Sequence, residues 1–98
     1  MNTEDMIPAA AFCMHHNIEM GFINSLSNSG LIEMIFVQEE CFISLNQIQQ
    51  LEKMVRLYYD MEINVEGIET ITHLLQHMQS MQLQIMQLSN RLALYEEQ

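Results

Sequence analysis

Apolar residues recur along the chain at two spacings, and the switches between those spacings mark its elements. From Pro8 to His16, PAAAFCMHH, good helix formers follow a proline suited to the first turn of a helix. Asn17 is a turn residue. Glu19 then opens a second helix whose inner stripe is Met20, Ile23 and Leu26, and the SNSG of residues 27–30 ends it. Two short helices joined by a tight turn form the helix-turn-helix pattern. Residues 31–43, LIEMIFVQEECFI, hold two short β-type runs around the polar Gln38-Glu39-Glu40, which predicts a small hairpin, or wing. Ser44 and Gln47 read as a capping box opening a third helix from Leu45 to about Tyr59, with Ile48, Leu51, Val55 and Tyr58 on its buried face.

After a break at EIN, residues 62–64, Asn64 is placed to cap a fourth helix. From there to the end the chain has no proline and, after Gly67, no glycine. Ile71, Leu74, Met78, Met81, Ile85, Leu88, Leu92 and Tyr95 follow at alternating spacings of 3 and 4. That is a heptad seam, the mark of a coiled coil. A helix of this length cannot bury its stripe on a core made by the first sixty residues, so a homodimer is expected, joined through Leu74, Met78, Met81, Ile85, Leu88, Leu92 and Tyr95. The alternative is that the seam folds back on its own domain. The expected architecture is mainly α: a winged helix-turn-helix domain over residues 1–63, then a C-terminal dimerising helix over 64–98.

Charge changes this picture. The chain has 13 acidic and three basic residues, a formal net charge of −10. Its cations are Lys53, Arg56 and Arg91, so the first 52 residues carry Glu4, Asp5, Glu19, Glu33, Glu39, Glu40 and Glu52 and no Lys or Arg at all. A helix-turn-helix holds DNA largely through Lys and Arg on phosphates. Here that source of affinity is missing: DNA is an unexpected partner, an anionic membrane equally so, and a basic protein surface is favoured. The opening MNTEDMIPAA has neither a basic start nor a continuous apolar run, and no segment is apolar for the ~18 residues a membrane span needs. Cytoplasm is the expected compartment, and the two cysteines, Cys13 and Cys41, read as core residues.

Candidate chemistry adds little. His73 and His77 share a helix face at metal-ligand spacing, but they flank the seam and no third ligand is close in sequence, so no metal is expected. His15 and His16 are adjacent and point to different faces. Of the ten methionines, Met54, Met61, Met78 and Met81 fall at core or seam positions, where Met is an adaptable filler. There is no glycine-rich phosphate loop, no recognisable nucleophile elbow and no carboxylate pair in an apolar setting. No cofactor and no enzymatic activity are expected.

The order of elements, together with RLYYDMEINVEGI from Arg56 to Ile68, resembles MerR-type regulators and, within them, the CbpM-type chaperone modulators. Arg56, Leu57, Asp60, Ile63, Asn64, Val65, Gly67 and Ile68 fill the places of that signature. The early Phe12-Cys13 pair and the GLIE of residues 30–33 are similar to the family's first helix and to its exit from the second. The resemblance implies binding to the J-domain of a DnaJ- or CbpA-like co-chaperone, with inhibition of its work with DnaK. J-domains present a basic second helix, which an acidic surface would meet. The expected contact residues are Asp60, Glu62, Glu66 and Glu69, tied to the signature and to the start of a rigid helix; a second acidic face is Glu19, Glu33, Glu39 and Glu40. The alternative function is that of a MerR-like transcription regulator with weak or lost DNA binding. Two departures separate the chain from the DNA-binding members: residues 19–32 and 36–42 contain no Arg, and the C-terminal helix lacks effector-binding cysteines.

Overall fold

A computed structural model describes residues 5–96; Glu4 lies outside them. The chain runs through strand β1 (Met6–Pro8), helices α1 (Ala9–His16) and α2 (Met20–Asn28), strands β2 (Met34–Val37) and β3 (Glu40–Ser44), helix α3 (Ile48–Tyr59) and the 32-residue α4 (Val65–Glu96). This is the mainly helical, winged helix-turn-helix arrangement that the sequence pattern predicts.

Both turns of the helix-turn-helix are built alike. Asn17 takes the left-handed conformation, φ 55°, so that Ile18 N–H donates to the Cys13 carbonyl at 3.0 Å. Gly30, φ 77°, does the same after α2, where Leu31 N–H donates to Leu26 at 3.0 Å and Gly30 N–H to Ser27 at 3.1 Å. These Schellman closures satisfy the orphan carbonyls at each helix end and reverse the chain sharply. They explain why Asn and Gly stand where the sequence stops each helix.

The sheet contains an element that the sequence pattern does not signal. β1 lies antiparallel beside β3, with Ile7 opposite Ile43 and Pro8 opposite Phe42, giving the order β1-β3-β2. Pro8 thus closes a strand and flanks α1, at φ −60° and ψ 135°, rather than filling that helix's first turn. Proline's fixed φ suits either place, and pairing with β3 selects the extended ψ. Across the wing, Val37 pairs with Glu40, so the turn is the two residues Gln38 and Glu39, both at positive φ (51° and 66°). Two-residue hairpins favour that geometry because its twist matches the strands, although Asn and Gly adopt it more readily.

α3 starts differently from the expected capping box. Ser44 donates its hydroxyl to Asn46 Oδ1 at 2.7 Å, and a single 3-10 turn, Leu45–Gln47, precedes the helix. Gln47 instead clamps the backbone of Glu33: its Oε1 accepts the Glu33 N–H at 2.8 Å and its Nε2 donates to the Glu33 carbonyl at 2.9 Å. The buried face of α3 centres on Leu51 and Met54, with Ile48 and Val55 half-buried and Tyr58 at the surface. These side chains join Ala9, Phe12, Cys13, Phe22, Ile23, Leu26, Ile32, Ile43 and Ile68 in one core. Met61, which the pattern assigns to an apolar filling role, is exposed.

Asn64 caps α4 as its position in the sequence predicts, its Oδ1 accepting the Gly67 N–H at 2.8 Å. Ile68 and Thr72 are buried against the domain, and every described residue from His73 onward is exposed. At 1.5 Å per residue α4 is roughly 48 Å long. Its projection gives extents of 61 × 35 × 21 Å and a radius of gyration of 18.1 Å, against about 13 Å for a compact chain of this size.

Candidate partner-docking surfaces

Two surfaces lack a partner among the described residues. The first lies where α2, the end of α3 and the start of α4 meet. Phe22, buried in the core, stacks on Tyr58, ring centroids 4.3 Å apart, and Tyr59 packs edge-on against both rings. Tyr59 also accepts the Glu19 N–H on its hydroxyl at 3.1 Å, pinning the entry of α2 to the end of α3. Such ring pairs contribute roughly 0.5–1.5 kcal/mol each beyond their burial. Past Tyr59 the chain turns through Glu62, φ 57°, which lets Ile63 N–H donate to the Leu57 carbonyl at 3.0 Å.

This turn places the signature carboxylates. Glu62 lines one shallow hollow and Glu66 the next, and the two hollows share Tyr58 and Asn64. Asp60 caps the end of α3 and is exposed, while Glu69 is half-buried further along α4; neither lines these hollows. Glu66 sits in the first turn of α4, where the helix dipole favours negative charge. Glu62 and Glu66 are therefore brought together around an exposed aromatic ring. Tyr58, whose spacing matches the core stripe of α3, lies at the surface instead, stacked on Phe22.

The second acidic group is dispersed. Glu19 caps the start of α2, Glu33 precedes β2, Glu39 is at the tip of the wing and Glu40 begins β3. The exposed side of α2 consists of Gly21, Asn24, Ser25 and Asn28, and the wing exposes Phe36 and Val37. Nothing there can neutralise a phosphate.

The second surface is α4 itself. Leu74, Met78, Met81, Ile85, Leu88, Leu92 and Tyr95 are all exposed, from 43% at Met81 to 76% at Tyr95. Eleven large apolar residues are left open on this one helix, far more than isolated surface residues require. His73 and His77 lie on its exposed surface, and among the described residues no group of three metal-ligand side chains exists. Between α3 and α4 a groove of about 310 Å³ is lined by Lys53, Leu57, Ile71, Leu75 and several glutamines. Cys13 is buried, its Sγ 3.7 Å from Met20 Sδ, and burial pushes its thiol above the ordinary value.

With this geometry in place, the comparison with known families is decisive for class: the MerR HTH regulatory protein model matches residues 7–90. The chain belongs to that family. No curated protein and no solved structure matches it. The matched stretch takes in the helix-turn-helix, the wing, α3 and most of α4. MerR-like proteins are regulators and typically not enzymes. Among the described residues of this member, no helix is long and apolar enough to cross a membrane.

Proposed function

We propose that this MerR HTH protein acts by stoichiometric binding, as a CbpM-type modulator that covers the basic helix of a J-domain co-chaperone and inhibits it. The observation that carries the reading is the fate of the signature segment, Arg56 to Ile68. Its residues form one unit, from the end of α3 through the Glu62 turn to the capped start of α4, with Glu62 and Glu66 exposed beside Tyr58 and Asp60 exposed at the end of α3. Carboxylates around an exposed ring suit Lys and Arg, which pair with the former and stack on the latter. The recognition helix α2 and the wing carry no cation, which counts against the second reading, a transcription regulator with weak or lost DNA binding. In this account α2 is scaffold: it buries Phe22, Ile23 and Leu26 and positions Tyr58. Two copies join through the Leu74–Tyr95 seam, so the dimer offers two acidic faces.

Reversing the charges of Asp60 and Glu66 tests the face. The D60K/E66K variant should lose roughly tenfold in association rate with the J-domain at low salt, and most of the salt dependence of that rate. Unchanged kinetics would remove this face from the account and leave the Glu19–Glu40 face to be tested.

A further inference from the structure

The three-stranded sheet has two edges, and the chain treats them differently. β1 is three residues long and ends in Pro8, two devices that keep an edge from pairing further. β2 is the other edge, and its residues Met34, Ile35, Phe36 and Val37 include neither a charge nor a proline. The register gives the direction of its peptide groups. Val37 and Glu40 flank the two-residue turn and so exchange both their hydrogen bonds, as do Ile35 and Phe42 one repeat further on. Met34 and Phe36 stand at the intervening, non-hydrogen-bonded pairs, so their N–H and C=O groups point away from β3. Among the described residues nothing pairs with that outer side. Just before the strand, Gln47 takes both peptide groups of Glu33, which keeps the same alternation and sets where the open edge begins.

Donors and acceptors alternating along an extended backbone are matched by another extended backbone, whose own groups repeat at the same spacing. A helix cannot meet them, its peptide groups being bonded internally, so the basic helix of a J-domain is not the occupant. Side chains describe the added strand further. Phe36 is 67% and Val37 39% exposed, and successive residues lie on opposite faces of the sheet, so that strand finds an apolar neighbour on either face. Charge completes the description. Exposed carboxylates bracket β2, Glu33 before it and Glu39 and Glu40 beyond it, and the first 52 residues have no Lys or Arg to offset them. A second copy of β2, in either direction, would bring these carboxylates against their own kind. A strand with Lys or Arg at its ends meets them with opposite charge.

We infer that the outer edge of β2 is a docking site for an extended segment of a partner protein, apolar in its middle and basic at its ends, which adds as a fourth, antiparallel strand. The probe is the blocked peptide Lys-Thr-Val-Thr-Val-Lys, titrated into the isotope-labelled full chain at low salt and followed by backbone amide shifts. Its valines are set to lie opposite Phe36 and Met34, and its last lysine opposite Glu33. The largest shifts should fall on Met34 and Phe36, and exchange of those two amides with solvent should slow on saturation. The same peptide with both valines N-methylated keeps its charge and side chains but loses two donors, and should bind about tenfold more weakly. Glutamates in place of the lysines should weaken it by about as much. Phe36→Pro removes an N–H that β3 does not use, at a place where an edge strand accepts proline. It should weaken the original peptide about tenfold and leave the core signals unchanged. No binding, binding indifferent to N-methylation or to the charge swap, or shifts centred on Glu62 and Glu66 would overturn the inference. Met34 and Phe36 amides already protected in the chain alone, and released by Phe36→Pro, would overturn it in favour of a second copy.

Discussion

Gly67 is the residue on which the geometry of the acidic corner depends most narrowly. A methyl group added at its Cα would stand 2.7 Å from Ile63 Cγ2 and 3.1 Å from Asn64 Oδ1. Neither neighbour yields cheaply. Ile63 is β-branched and half-buried, so its Cγ2 cannot swing aside without leaving its rotamer. Asn64 Oδ1 is the acceptor that caps α4 by way of Gly67's own N–H. Relieving the overlap is expected to cost about 1–3 kcal/mol, and losing the cap about 1 kcal/mol if Asn64 moves instead. Against this stands the gain of Ala over Gly, at most about 1 kcal/mol in a helix interior and less in the first turn. Gly67→Ala should therefore destabilise by about 1–2 kcal/mol. Urea unfolding followed by helical circular dichroism measures it, at one fixed protein concentration because assembly makes apparent stability concentration-dependent. Asn64→Ala, which loses the cap without the overlap, should cost about 1 kcal/mol. A Gly67→Ala variant as stable as the wild type, or more so, would refute the reasoning that this close approach constrains the turn.

Other expectations follow from the same structure. Gln38 and Glu39 hold positive φ without being Gly or Asn, so replacing them by Asn-Gly should stabilise the chain by about 1–2 kcal/mol; a loss of stability in urea would show that their side chains hold the wing some other way. The raised Cys13 thiol pKa gives a pH dependence of definite sign. The unfolded chain ionises first, near the ordinary 9.0, so the stabilisation is complete below that value and declines as pH rises through it towards the folded-state pKa. Its slope is at most about 1.4 kcal/mol per pH unit, and Cys13→Ala should remove it; a slope that survives in that variant would contradict the assignment.

What could be read along the chain, and what could not, divides by range. Asn17, Gly30 and Asn64 act on backbone groups within a few residues of themselves, and each stands in the structure at the helix end where its sequence position puts it. The periodicity of α4 is equally local, and the helix is continuous from Val65 to Glu96. Apart from the exposed Met61, the misreadings involve a distant partner. β1 is three residues long, too short for alternation to register, and exists because β3 lies beside it. Ser44 and Gln47 have the spacing of a capping box, but Gln47 is taken by Glu33, fourteen residues away. On α3 the spacing of Ile48, Leu51 and Val55 assigns Tyr58 to the buried face, whereas the structure has it at the surface, stacked on Phe22 of α2; Met54 is buried, as its core assignment expects. The acidic members of the candidate site were visible as composition. Their arrangement around Tyr58 was not, because it depends on the left-handed Glu62 and on a stack between α2 and α3.

The claim that this MerR HTH protein is a J-domain modulator is tested most directly by calorimetric titration of the full chain with the J-domain from the same organism, at low and at physiological salt. The account predicts one J-domain bound per chain, with an affinity that falls as salt rises because charge draws the partners together. Absence of binding at both salts would contradict it.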